Sequence, residues 1–483
     1  MKHPKVLKTV FLTILLSLPL LVGCNKKKSE KTTKKGGTNT VTTKGSSHTH
    51  EFGEWKIIQS STCNEHGYKK RACACGEYEI EELPFTSHTF EHDKCVDCGY
   101  EQLSEGFYIE YVSYEYSLDE REPEYIIRGY QGTSKEVRIP KYYDDGINGF
   151  HKLTIGKDPS SVNVLNNTSI EKIYIGEEYE IIPAKFLSGI TNLKEVVLPK
   201  NCATISDAAF KDCTSLETVA FNEGLMYIKS NAFQNCNIKK LRCPSTLEYI
   251  LINSFSGNTN LTEVTLNEGL EIIDSNAFAD TAISTLVLPR SLESFGYQER
   301  MNSLTSISIS GVSQFFKVEN NCLIDIANNS VVKGFANSTI PSTVEIIGAY
   351  AFSNLDFTGI DEFVIPSSVT TILFDAFYGS KFNSLVLPEL EEINDEAFKG
   401  IEFGEDYIFV IPQTVLTIGK NAFDRAAFKQ LIIPESVEEV GSSILNKSTA
   451  ESVKIYESTL DSPYCSSNWS AGFEGEIIEV SGE

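Results

Sequence analysis

Between Leu193 and Phe278 one phrase is written four times, beginning LKEVVLP, LETVAF, IKKLRCP and LTEVTL. Each copy has an apolar residue, two polar residues, an apolar–x–apolar triplet often closed by Pro, then an Ile, then Ala-Phe or Ser-Phe. A short self-similar period constrains a chain strongly. One such unit cannot enclose its own apolar side and must bury it against the next copy, which is the logic of a solenoid.

The period continues well beyond these four copies. The last residue of each triplet falls at Ile175, Leu198, Phe221, Cys243, Leu266, Leu288, Ile309, Ile340, Ile365, Leu387, Ile411, Ile433 and Ile455, at intervals of 21 to 25 residues with one of 31. A phenylalanine column keeps step at Phe186, Phe210, Phe233, Phe255, Phe278, Phe352, Phe377, Phe398 and Phe423. Thirteen rungs at a strand spacing of ~4.8 Å give a rod of roughly 60 Å.

Each position has a physical task. Alternation along a strand turns Val196 and Leu198 inward and Val197 outward. Proline follows the triplet at 199, 244, 289, 341, 366, 388, 412 and 434, where its missing N–H interrupts no ladder. The phenyl ring is the largest interior piece per rung, so Phe233→Ala or Phe278→Ala should cost ~3–5 kcal/mol.

The segments IPSSVTTILFDAF, IPQTVLTIGKNAF and IPSTVEIIGAYAF closely resemble the phrase of the BspA-like leucine-rich repeat surface proteins. The resemblance spans about Glu136 to Tyr456. It implies a β-rich solenoid of about 13 rungs that is presented at a cell surface and binds other proteins. Two rungs depart from the pattern. LESFG at 292–296 has no Ala-Phe after it, and residues 320–337 insert NNCLIDIANNSVVKGFAN, which reads as a hairpin excursion between repeat blocks.

The chain has 483 residues and a net charge of −24, but its first 50 residues hold ten Lys and one Glu, leaving −33 on the remainder. A body this acidic argues against nucleic acid as a partner. Lys2, Lys5 and Lys8 precede an apolar run from Val10 to Val22, too short to span a bilayer and laid out as an export signal. The run ends LVGC at Cys24. This resembles a bacterial lipobox, implying a signal peptide at 1–23, cleavage before Cys24 and acylation of its thiol. Residues 24–47 then form a lipid anchor and a flexible basic tether, with too few apolar side chains to pack. The acyl chains would hold the protein on the outer side of a bacterial membrane.

Residues 48–103 are a Cys/His-rich module. It holds His48, His50, His66, His88 and His92, and Cys63, Cys73, Cys75, Cys95 and Cys98. Cys95 and Cys98 have zinc-knuckle spacing followed by Gly99, whereas Cys73 and Cys75 stand one residue closer; His88 or Cys63 could complete a four-ligand set. One structural zinc within residues 63–98, a set of disulfides in an exported module, and metal capture as a function all remain open. Some staple is expected, because a module this poor in apolar residues is hard to fold otherwise.

Residues 104–150 read as an N-terminal cap, 151–459 as the solenoid and 460–483 as a C-terminal cap containing Trp469. Beyond residue 92 the only histidine is His151, read as a surface residue at a strand edge. The sequence has no phosphate loop or dinucleotide fingerprint, and Glu391-Glu392 and Glu438-Glu439 point apart on a strand. Cys213 and Cys236 share one repeat position and read as small buried residues. No catalytic residue is assigned, and the chain is read as a non-enzyme.

One surface feature stands out. The outward strand position is Val197, Ala220, Arg242, Thr265, Val287 and Ser308 in the first block, but Val364, Val386, Val410 and Ile432 in the second. Strand propensity alone favours Val and Ile there; a long exposed apolar stripe also marks contact surfaces. The expected partners are extracellular, host or neighbouring-cell proteins, together with the membrane through Cys24. The alternatives are a carbohydrate-binding or cell-envelope protein using Tyr142, Tyr143, Tyr297 and Trp469, and a metal-binding lipoprotein using the Cys/His module.

Overall fold

The computed structural model describes residues 51–61, 67–83, 90–91, 94–95, 102–112, 123–143, 151–156, 163–166 and 168–481. The segments 1–23 and 24–47, expected to be signal peptide and tether, lie outside these residues. The chain divides between His88 and Thr89 into two units, a division that falls inside the expected Cys/His module rather than at its edge.

In the first unit, strands Lys56–Gln59, Gly67–Ala72 and Tyr78–Leu83 form an antiparallel sheet. Its side chains are held largely by polar contacts. Arg71 pairs with Glu79 at 2.5 Å and lies over the Trp55 ring at 4.7 Å; Lys69 pairs with Glu81 at 2.9 Å and Lys70 lies over Tyr78 at 3.8 Å.

The second unit is a parallel β-solenoid of about 13 turns. One ladder joins Glu136–Ile139, Lys172–Ile175, Glu195–Val197 and Thr218–Ala220, and continues in the pairs Lys240–Arg242 with Glu263–Thr265 and Thr285–Leu288 with Ser306–Ile309. A second, two-residue ladder joins Ile181–Ile182, Thr204–Ile205, Tyr227–Ile228, Tyr249–Ile250, Ile272–Ile273 and Ser294–Phe295. The inward side chains of both ladders, such as Val196, Leu241, Ile205 and Ile250, meet in one buried core.

Between the ladders, the Ala-Phe corner has no strand, yet its backbone also couples rung to rung. Phe210 N–H donates to Ala232 O at 2.8 Å, Phe233 N–H to Ser254 O at 2.8 Å and Phe255 N–H to Ala277 O at 2.9 Å. The corner is shaped by two left-handed residues four apart, one before the Ala and one two residues after the Phe. Asn231 with Asn235 and Asn276 with Asp280 are examples, all with φ between 56° and 59°. Asn and Asp tolerate this region better than other side chains. The rings of Phe210, Phe233, Phe255 and Phe278 stack at 5.0, 5.4 and 5.7 Å, and those of Phe352, Phe377, Phe398 and Phe423 at 5.5, 5.7 and 5.5 Å. Phe186 does not extend the first stack; its ring packs on Tyr179 at 5.4 Å.

The solenoid's limits and its two irregular rungs each have a structural basis. Glu136–Ile139, where the repeat resemblance begins, is the edge strand of the first ladder; around it in sequence lies a sheet of Phe107–Val112, Glu124–Tyr130, His151–Ile155 and Tyr142–Tyr143. The rung at 292–296 closes without an Ala-Phe because Phe295 takes the inward ladder position and the Gln298 side chain substitutes for the missing corner, accepting the Phe278 N–H at 3.2 Å. Residues 320–337 do form hairpins between the repeat blocks, and they are built into the solenoid. Strands Phe316–Glu319, Cys322–Asp325 and Ser330–Lys333 form an antiparallel meander whose last strand pairs in parallel with Ile346–Ile347 and so starts the next ladder. At the far end Glu476–Val480 pairs in parallel with Ser452–Tyr456, adding a rung where a cap was expected, and Trp469 is only 7% exposed, built into the core.

Candidate interaction surface

The two blocks present different outer faces on the longer ladder. In the first block that face is laced with charge. Lys172 pairs with Glu195 at 2.8 Å and Lys240 with Glu263 at 2.7 Å. Glu171 is bracketed by Lys135 at 2.7 Å and Lys194 at 2.9 Å, and these two ammonium groups lower its pKa to about 2.

In the second block the same face is apolar. Strand Phe363–Val364 pairs with Leu385–Val386, setting Val364 beside Val386; strand Ile408–Val410 pairs with Gln430–Ile432, setting Val410 beside Ile432. Val364 is 52% exposed, Val386 38% and Val410 56%, whereas Ile432 is half-buried. Ile408 and Ile360 are also exposed nearby in sequence. The four residues do not form one unbroken ladder. The longer interval between Leu387 and Ile411 places Tyr407 between the two pairs, where its hydroxyl donates to Leu385 O at 3.1 Å and accepts from Leu385 N–H at 3.3 Å. Lys381 pairs with Glu402 at 2.5 Å and Lys429 with Asp406 at 2.9 Å, so these two cations are neutralised by neighbouring rungs.

The expected metal ligands are only partly placed. Cys73 opens a turn, its N–H donating to Glu77 O at 2.8 Å while its carbonyl accepts from Gly76 N–H at 2.9 Å. A hydrogen bond with Cys73 raises the Cys75 pKa. Cys95 is buried in a short hairpin with Phe90–Glu91, in the other unit. Cys63, His88 and Cys98 lie outside the described residues, as does Cys24. Among the described residues no three His, Cys, Asp or Glu side chains are grouped to hold a metal ion.

Of the aromatic residues considered for sugar binding, Trp469 is a core residue, which removes it. Tyr143 packs edge-on against Tyr125 at 4.9 Å, Tyr142 lies under Lys141 at 5.3 Å and Tyr297 stacks on Tyr350 at 5.0 Å. His151, expected at the surface, is half-buried with its ring 5.4 Å from Tyr111 and 6.1 Å from Tyr125. Cys213 and Cys236 are buried, and their thiols donate to Leu187 O and Phe210 O, each at 3.1 Å. Burial pushes Cys213 up to about 12 and Cys236 well above the ordinary thiol value.

Two features were missed in the sequence. One is the pair of left-handed columns. The other is the register of the strand Glu476–Val480 within the expected C-terminal cap, which continues the core columns of Val453 and Ile455. Among the described residues no helix is long and apolar enough to cross a membrane.

Parallel ladders on two faces, an aromatic stack at the corner and a 22-residue repeat define a leucine-rich repeat solenoid protein. The BspA type leucine rich repeat region matches residues 160–214, 180–305 and 330–451, more than half of the chain, in six copies. The chain belongs to this family. Among solved structures it is similar to a leucine rich cell surface protein from Faecalibacterium prausnitzii, at 19% identity over 74% of this chain and 91% of that one, with a TM-score of 0.53. The pneumococcal vaccine antigen PcpA aligns at 16% identity over 88% and 98% of the two chains, with a TM-score of 0.45. A leucine-rich repeat protein from Eubacterium ventriosum aligns at 19% identity over 64% and 73%, with a TM-score of 0.40. No curated protein matches the sequence.

Proposed function

We propose that this chain is a non-catalytic, lipid-anchored surface protein that binds other proteins through the outer face of its second repeat block. The carrying observation is the contrast between the two blocks. One fold offers the same strand position thirteen times, and strand propensity acts on all of them; only the second block fills it with consecutive exposed Val386, Val410 and their neighbours. Exposed apolar area of this kind lowers solubility unless something covers it. The membrane attachment rests on the lipobox-like LVGC at Cys24, and partners would be extracellular, host or neighbouring-cell proteins. A structural zinc is proposed alongside, supported by the Cys95–Cys98 knuckle spacing followed by Gly99 in the sequence.

The test is a pull-down of extracellular-matrix and cell-envelope proteins with the full chain and with the double variant Val386→Asp, Val410→Asp. Loss of a specific captured protein in a variant that melts like the parent supports the reading. Unchanged capture by the folded variant removes this face as the binding site.

A further inference from the structure

Among the described residues the strand Glu476–Val480 has an open edge. Glu476–Val480 is the final member of its sheet, hydrogen-bonded only to Ser452–Tyr456. Glu476 N–H donates to Glu451 O at 2.8 Å. In a parallel ladder this fixes the direction of every second residue. Glu476, Ile478 and Val480 turn both backbone groups toward Ser452–Tyr456, whereas the N–H and C=O of Ile477 and Glu479 point to the open edge. Neither pair of groups has a partner among the described residues.

The side chains on this rung say what could sit there. The register sets Ile477 on Val453 and Glu479 on Ile455, so both occupy columns that are aliphatic and buried one rung earlier. Ile477 is 41% exposed, with no rung over it among the described residues. Glu479 ends its column with a charge, and no ion pair holds it among the described residues. An added parallel strand would cover Ile477 with an apolar side chain and, two residues on, set another side chain against the Glu479 carboxylate.

We infer that the Glu476–Val480 edge is a strand-addition site for an extended polypeptide of another protein bearing the pattern apolar–x–Lys or apolar–x–Arg. Backbone hydrogen bonds from Ile477 and Glu479 supply the attachment, as in other edge-strand recognition. The stacked Ile477 contact and the Glu479 ion pair select register and sequence. This site is separate from the Val364, Val386 and Val410 ribbon and does not depend on it.

The test uses the full chain and two fluorescein-labelled peptides, Ser-Thr-Val-Thr-Lys-Thr-Ser and the same peptide with Glu for Lys, titrated by anisotropy. The Lys peptide is expected to bind about five-fold tighter, the difference between an attractive and a repulsive cross-strand charge pair. Glu479→Lys should reverse the order. Glu479→Pro removes the outward N–H and the carboxylate but no hydrogen bond to Ser452–Tyr456, so it should abolish binding of both peptides with an unchanged thermal melt. Equal affinities on the parent chain, undiminished binding to Glu479→Pro, or no binding up to about 1 mM peptide overturns the inference. So does concentration-dependent self-association that Glu479→Pro removes, which would assign the edge to a second copy.

Discussion

Leu323 and Ile324 are neighbours on one strand and belong to two different hydrophobic cores. Leu323 packs with the first block, from Leu103 to Phe335, and Ile324 with the second, from Cys322 to Trp469. Strand alternation makes this possible: the meander at Phe316–Lys333 is a wall with one core on each side. Single substitutions at these two positions should therefore act on opposite sides. Leu323→Ala is expected to raise hydrogen exchange in the rungs at 285–309 and Ile324→Ala in those at 346–372, each with a local cost of ~2–4 kcal/mol. Exchange measured by mass spectrometry that rises equally on both sides for either variant would show the wall to be one cooperative core.

The aromatic stack makes a graded prediction. Phe233 has a stacked ring on each side, Phe210 at 5.0 Å and Phe255 at 5.4 Å. Phe278 has Phe255 on one side at 5.7 Å, while the corner of the next rung is supplied by Gln298. Both are fully buried. Phe233→Ala should cost ~4–5 kcal/mol and Phe278→Ala ~3–4 kcal/mol, because Phe233 also has the Phe221 ring edge-on at 5.7 Å and the second substitution forfeits two fewer ring contacts. Denaturant titration with the two costs reversed would contradict the end position of Phe278.

The phenylalanine columns were legible because each rung spends one large apolar residue at one place, and the two-residue ladders because Ile recurs beside them. The left-handed columns were not. Their residues include Lys185, Ala208, Tyr350, Glu396 and Ser443 as well as Asn and Asp, so no single residue type marks every rung. What recurs at most of these positions is the backbone hydrogen bond to the next rung, such as Ala208 N–H to Ser230 O at 2.9 Å. The hairpins of the meander were legible, but its junction with the next ladder was not, because Ser330 and Val331, which pair with Ile346 and Ile347, lie outside the repeat phrase. Trp469 was misread because an aromatic near a chain end has no periodic context to mark it as interior. The apolar ribbon was legible position by position, but its interruption at Tyr407 depends on a two-residue change in rung length.

Those left-handed positions allow a stabilising change. Ala208 holds φ at 55°, where a Cβ is strained. Ala208→Gly should stabilise the chain by roughly 0.5–1 kcal/mol, the strain relief outweighing the entropy glycine loses. The reverse change is worse at Gly257, φ 77°, because a Cβ there would lie 2.3 Å from Asn235 Oδ1. Gly257→Ala should destabilise by more than ~1 kcal/mol. Melting temperatures moving in the same direction for both variants would rule out backbone strain as the cause.

Lys333 gives the sharpest pH prediction. Its side chain is buried at the junction of the blocks, and its ammonium has the Gln298 carbonyl at 3.4 Å. Burial lowers its pKa from 10.5 to about 8. Between those values the unfolded chain holds a proton that the folded chain has released, so this residue makes stability rise with pH across about 8 to 10.5. Buried thiols act the other way: Cys213 and Cys243 are raised from 9 to about 12, so the unfolded chain loses their protons first and stability falls above pH 9. The two effects overlap, and only a difference isolates the lysine. Lys333→Met keeps the buried stem and removes the charge. It should be more stable than the parent at pH 7, and the gap should narrow by roughly 3 kcal/mol by pH 10.5. Denaturant midpoints measured at a series of pH values would show this directly, and parallel curves for the two proteins would mean that Lys333 reaches water in the folded state.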